Sequence, residues 1–227
     1  MTALTFTLKK KPAFKINCSP LTSNKLAGKT IKQILEITLN NNSKVIDIFE
    51  LTGNDTEHIF FKNCSNQLDF IGHKMSRGQI TIEGDCGDFL GANMQGGSIV
   101  CTGNAGDRVG DLMRRGLILI DGNAGEYCGS RMLAGTIGAY GNVGKYVGFG
   151  MKRGTILLKN KTDIHTTIQD CGTHNLPFLA LLFQSLKEFS SKFSTLKNQR
   201  VQRYAGDLAC NGNGEILILS PNYPTIL

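Results

Sequence analysis

A period of 19 residues governs positions 84–158 of this chain. Gly84, Gly103, Gly122 and Gly141 share one column, as do Gly87, Gly106, Gly125 and Gly144. Gly91, Gly110, Gly129 and Gly148 form another, followed by Met94, Met113, Met132 and Met151, then Gly97, Gly116, Gly135 and Gly154. An earlier copy keeps Gly72, Met75 and Gly78 in frame. A fixed short period means stacked units, each burying its apolar face against its neighbours.

Each unit reads G-x-x-G-x-x-x-G-x-x-M-x-x-G-x-ϕ-x-ϕ, with ϕ mostly apolar. Ile80 and Ile82, Ile99 and Cys101, Ile118 and Ile120, Ile137 and Ala139, and Ile156 and Leu158 alternate with their neighbours, as a strand with one inward face would. A glycine before each strand suits a corner that needs positive φ or no Cβ. The remaining glycines disfavour helix by about 1 kcal/mol each against alanine. The expected architecture is mainly β: a right-handed β-solenoid of 19-residue coils, its corners held by Gly84, Gly91, Gly103, Gly110, Gly122, Gly129, Gly141 and Gly148. A leucine-rich repeat has a similar period but needs a Leu ladder and an Asn or Cys at its inner bend; the constant columns here are Gly and Met.

Flanking segments lack the repeat. Residues 1–63 read as an N-terminal α/β cap, with strands at 4–8, 44–51 and 58–62 and a helix over 28–39. Residues 64–160 are the Gly-rich repeats. Residues 161–227 carry a helix over 177–189, with Pro near its start, and a closing strand at 215–219. Caps are needed because end coils otherwise expose unpaired backbone.

Composition narrows the function. The 227 residues carry a net charge of +7, but it is spread. Residues 1–63 hold nine Lys against five acids, 64–160 ten basic against eight acidic, and 161–227 six against five. No dense basic block or interleaved base-stacking aromatics mark a nucleic-acid binder. No apolar run nears the roughly 20 residues that span a bilayer, and the first residues lack a signal-like apolar stretch. Seven Cys without paired spacing argue against a disulfide framework, so a cytoplasmic location is expected.

No catalytic constellation emerges. His58, His73, His165 and His174 show no metal spacing, and Cys171 with His174 lacks further ligands. Cys86, Cys101 and Cys128 fall at different offsets and read as small buried residues. The Gly segments lack the Lys-Ser/Thr of a phosphate loop. Asp88, Asp107 and Glu126 share a column and read as solvent-facing corner residues, since calcium coils follow a different pattern. One surface feature suggests binding: Arg77, Arg115 and Arg153 share a column on alternate coils, with Arg114 and Lys152 beside the last two. Alternate rungs separate these charges by about 9–10 Å, near one Debye length at physiological salt. This basic stripe would suit an acidic partner.

The repeat resembles the Gly-x-x-Gly-x-x-x-Gly domain shared by glutamate synthase C-terminal domains and the C subunit of formylmethanofuran dehydrogenase. The residues that carry it are Gly84-Asp-Cys-Gly-Asp-Phe-Leu-Gly91, Gly103-Asn-Ala-Gly-Asp-Arg-Val-Gly110, Gly122-Asn-Ala-Gly-Glu-Tyr-Cys-Gly129 and Gly141-Asn-Val-Gly144. The tail Arg203-Tyr-Ala-Gly-Asp-Leu208 with Gly214-Glu-Ile-Leu217 is similar to the ending of the dehydrogenase branch. The resemblance covers residues 65–219.

It implies a non-catalytic structural subunit of a one-carbon complex handling formylmethanofuran-type carriers. That complex is either the archaeal molybdenum or tungsten dehydrogenase or the bacterial formyltransferase/hydrolase, which also uses tetrahydromethanopterin. The compact chain and small acidic content lean towards the bacterial one. The resemblance further implies formyltransferase-like and amidohydrolase-like partners. The methanofuran-type coenzyme and the zinc or molybdenum/tungsten pterin would lie on those partners, and none would be bound by this chain alone. The basic stripe could then meet a polyglutamyl coenzyme tail. Two rival readings remain: a standalone β-helix enzyme with a surface groove, for which Asp107 and Glu126 are the nearest carboxylates, and a glutamate-synthase-like regulatory domain.

Overall fold

A computed structural model describes residues 2–40, 42–197 and 199–219; residues 220–227 of the expected C-terminal segment lie outside it. In β1 (Ala3–Leu8), Leu4, Phe6 and Leu8 are buried and their neighbours half-buried, so period-two alternation sets the inner face. A short β2 (Ile16–Asn17) follows, then three helical turns: α1 (Ser23–Leu26), α2 (Ile31–Leu35) and α3 (Val45–Ile48). Next come β3 (Phe49–Thr52), β4 (Asp55–Cys64) and β5 (Leu68–Asp69).

The repeats supply β6 (Gln79–Gly84), β7 (Ser98–Cys101), β8 (Leu117–Ile120), β9 (Thr136–Ala139) and β10 (Thr155–Leu158). The remainder holds β11 (Ile168–His174), α4 (Phe178–Leu186), β12 (Val201–Asp207) and β13 (Glu215–Leu219).

The molecule is mainly β, with one large mixed sheet in the order β11-β12-β13-β10-β9-β8-β7-β6-β4-β1-β3. Every repeat strand pairs in parallel with the strand one period away. Ile80 thus faces Ile99, then Ile118, Ile137 and Ile156. A second line of contact joins Ala105 to Ala124 and Ala124 to Val143. Met75, Met94, Met113, Met132 and Met151 fill the interior between these walls and are buried throughout. An unbranched, deformable side chain suits so narrow a space.

The end of the stack is closed by the chain itself. The amides of Ser98, Leu117, Thr136 and Thr155 donate in turn to the carbonyls of Gly78, Gly97, Gly116 and Gly135. The next member of this series is Glu215, whose amide donates to Gly154 at 2.9 Å. After the detour through α4, β13 therefore takes the place of one more repeat strand, with Ile216 opposite Ile156.

Two expectations are corrected. Residues 44–51 are not one strand: Asp47 accepts the Lys44 amide at 2.7 Å, which starts α3, and only then does β3 begin. The helix expected over 28–39 is confined to Ile31–Leu35 by a Thr30–Gln33 capping box at its start, and Thr38 then bridges to Lys44. The repeat strands keep one face inward, as expected, and their outer face is covered too. Val100, Leu119 and Leu157 point away from the interior yet are buried, forming with Leu217, Leu179, Phe183, Leu186 and Phe193 a second apolar cluster.

Helix α4 and the 3-10 turn Lys192–Thr195 thus cover the outer side of the sheet. Gly138 makes the socket, since a Cβ there would lie 2.8 Å from Cζ of Phe193. Asp121 latches the cover: it accepts from Ser191 Oγ at 2.5 Å and from the Lys192 amide at 2.9 Å.

Candidate functional site: the charged and aromatic ladders

The glycine columns that begin at Gly84 and Gly91 act for different reasons. Gly129 has φ +70, and a Cβ on it would lie 2.4 Å from Cδ1 of Ile156. Gly122 has no such φ, but its Cβ would come within 2.5 Å of the Gly103 carbonyl oxygen in the preceding repeat. One column sets a left-handed bend; the other permits close approach of two backbones.

Between these columns run two ladders of side chains that cap the next repeat. Asp69, Asp88 and Asp107 each accept the amide one period on, from Asp88, Asp107 and Glu126, at 2.8–2.9 Å. Asp85, Asn104 and Asn123 do the same for Asn104, Asn123 and Asn142 at 2.7–2.9 Å. The acidic column is therefore more than a solvent-facing corner: it satisfies backbone donors that the bend frees. Asp107 Oδ1 is committed to the Glu126 amide, which weakens that pair as groove acid and base.

A third ladder was not singled out from sequence. Phe70, Phe89, Arg108, Tyr127 and Tyr146 occupy one column, all with φ between +58° and +62°. Phe70 and Phe89 stack at 4.6 Å, Tyr127 and Tyr146 at 4.9 Å, and the Arg108 guanidinium lies 4.7 Å over Tyr127. Stacking offsets the left-handed strain, which costs about 1–2 kcal/mol per residue. The 19-residue frame contained this signal, but Arg108 interrupts the aromatic run.

All five residues of the basic stripe are exposed. Arg77 is paired with Glu57 at 2.9 Å. Arg114, Arg115 and Arg153 form no ion pair among the described residues. Lys152 and Arg153 line a depression of about 320 Å³ with Leu133, Asn211 and Asn213. Lys152 donates from Nζ to the Cys210 carbonyl. A neutral carbonyl leaves the Lys152 charge in place, so the unneutralised charge of the stripe lies on Arg114, Arg115, Lys152 and Arg153.

Two buried thiols are held protonated. Cys86 and Cys101 touch sulfur to sulfur at 3.8 Å, and this contact together with burial pushes the Cys86 thiol up. Burial alone pushes Cys128 up to about 12. His174 Nε2 meets the Cys171 carbonyl at 2.7 Å. Among the described residues, no three His, Cys, Asp or Glu side chains converge as metal ligands, and no helix is long and apolar enough to cross a membrane.

Fold and surface together define a stacked-repeat β chain whose polar ladders serve its own backbone and whose free charge faces outward. No family model matches the chain. It is 49% identical over 47 residues to the C subunit of the tungsten-containing formylmethanofuran dehydrogenase 2 of Methanocaldococcus jannaschii, covering 19% of this chain and 17% of that protein. It is 40% identical over 52 residues to the C subunit of the formyltransferase/hydrolase complex Fhc of Methylorubrum extorquens, covering 23% and 20%. These matches span at most 20% of the length of either curated relative.

The fold also superposes on one component of the crystal structure of the formyltransferase/hydrolase complex (FhcABCD) from Methylorubrum extorquens in complex with methylofuran. That match has a TM-score of 0.61 and 29% identity, covering 95% of this chain and 99% of that one. Over the matched segments the chain is homologous to the C subunits of formylmethanofuran dehydrogenase and of the Fhc complex.

Proposed function

We propose that this chain is a structural subunit of a multisubunit one-carbon complex that handles formylmethanofuran-type carriers. The observation that carries the reading is the superposition over 95% of the chain on a component of such a complex. Its contribution is positional. A rigid stack of coils holds partner subunits at fixed separation, so a tethered formyl carrier moves between them at high effective concentration. The parallel pairing of strands one period apart supports a right-handed β-solenoid over residues 64–160, capped by residues 1–63 and closed by 161–227. Coenzyme and metal are assigned to the partners, and the setting to the cytoplasm.

The basic stripe is the proposed contact for an acidic partner surface or a polyglutamyl coenzyme tail, with Arg114, Arg115, Lys152 and Arg153 supplying the unneutralised charge. Affinity purification of the tagged chain from its native extract, with identification of its partners and metal analysis, tests the reading. Formyltransferase-like and amidohydrolase-like partners without molybdenum or tungsten place it in the transferase/hydrolase complex. A pterin metal with iron–sulfur partners places it in the dehydrogenase. A lone monomer refutes the scaffold.

A further inference from the structure

The N-terminal cap carries a cleft that neither the repeat nor the basic stripe accounts for. The segment between β1 and β2 is tied to α3 by two bonds: the Lys9 amide donates to the Ile48 carbonyl at 3.1 Å, and Lys9 Nζ to the Ile46 carbonyl at 2.7 Å. Val45 and Phe49, fully buried on either side of Ile46–Ile48, fix α3 to the core. What remains between loop and helix is a cleft of about 330 Å³ with a largely apolar lining of Pro12, Ala13, Phe14 and Ile48. Phe14 in the lining and Ile46 on α3 are each 41% exposed.

The rim is cationic. Lys10 and Lys11 line the cleft, and neither makes an ion pair or hydrogen bond among the described residues. The one carboxylate at the rim, Asp47, accepts the Lys44 amide. The neighbouring Lys15 is already paired with Asp69 at 2.9 Å. An apolar floor beneath two unpaired ammonium groups selects a ligand with an apolar body and negative flanks.

We propose that this cleft docks an acidic segment of a partner protein. One Leu- or Phe-sized side chain would seat against Phe14 and Ile48, and flanking carboxylates would meet Lys10 and Lys11. A partner segment is favoured over a small amphiphile because α3 exposes a further apolar side chain, Ile46, outside the cleft, and because two unpaired lysines at the rim call for more than one carboxylate. The surface stands independently of which complex the chain joins.

The test uses the isotopically labelled full chain and four probes: the blocked peptides Glu-Glu-Leu-Phe-Glu-Glu, Glu-Glu-Ser-Ser-Glu-Glu and Lys-Lys-Leu-Phe-Lys-Lys, and decanoate. The expected result is saturable binding of the first peptide with Kd below about 1 mM. Amide shifts should be confined to residues 10–14 and 46–48, with at least a tenfold weaker response to the Ser-Ser peptide and none to the Lys peptide. Lys10→Glu with Lys11→Glu should cut affinity at least tenfold and leave Tm unchanged, since both side chains are exposed. Shifts elsewhere, equal binding of the Lys peptide, tighter binding of decanoate, or no saturation would each overturn the proposal.

Discussion

Phe193 in its socket over Gly138 allows a quantitative test of how the C-terminal segment is held. Phe193 is fully buried and packs edge-on against Tyr140 at 5.6 Å. Truncation to alanine removes that burial and leaves a cavity, costing about 3–5 kcal/mol. Gly138→Val acts from the other side. Its Cβ would meet Phe193 Cζ at 2.8 Å and Leu119 Cδ2 at 3.0 Å, and no positive φ adds strain. Overpacking of that kind costs about 1–3 kcal/mol.

Combined, the two changes should compensate, because the valine methyls enter the volume the ring has left. The double variant is expected to be more stable than the sum of the singles by about 0.5–3 kcal/mol. Urea unfolding at constant m value measures all four proteins. The chain has no Trp, so Tyr fluorescence, with Tyr140 beside the socket, is compared with far-UV circular dichroism. Coincident transitions license the subtraction. Additivity within about 0.5 kcal/mol would falsify the socket.

Further outcomes follow from the same contacts. Gly129→Val should lower stability by about 3 kcal/mol or more in thermal or urea melts, from left-handed strain plus collision with Ile156; a parental melt would mean that the column does not set the bend. Asp121→Ala should free the Lys192–Thr195 turn and raise proteolysis within residues 187–197, while amide exchange in β7–β9 stays slow; unchanged cleavage would remove the latch. Burial, then the charges of Lys74 and Lys25, lower the pKa of His73 below its usual 6.5. The unfolded chain therefore binds a proton that the fold resists. The penalty is absent above about pH 6.5 and grows as pH falls towards the lowered value. His73→Gln should flatten stability against pH across that window, and an unchanged slope would clear His73. Cys128, pushed up to about 12 by burial, should resist iodoacetamide at pH 8 until the protein unfolds.

Much of the sheet was legible because the repeat acts as its own alignment. Ile99, Ile118 and Ile137 mark both the strand and its register, and β13 falls at the expected residues 215–219. What sequence could not supply was long-range. Nothing local in Glu215 says that its amide will bond Gly154, some 60 residues away. Burial of Leu119 on its outer side depends on α4, which follows much later in the chain. The alternation of Val45 and its neighbours mimics a strand, and only the Asp47 carboxylate reaching back to Lys44 turns it into helix. For the basic stripe, the column showed where the charges stand. That Glu57 neutralises Arg77 was invisible, because Glu57 lies outside the repeat frame.

The substitution of β13 for a further repeat strand has a consequence for length. Both ends of the stack are finished by segments outside the period, and each interior repeat offers its successor the same carbonyls, from Gly97 to Gly154. Adding one whole 19-residue unit between β6 and β7, clear of the Asp121 latch and the Gly138 socket, would leave both closures intact. It would move whatever sits on the C-terminal end by about 4.8 Å relative to the N-terminal end. Repeat number would therefore set end-to-end spacing in fixed steps, as a ruler cut to whole divisions.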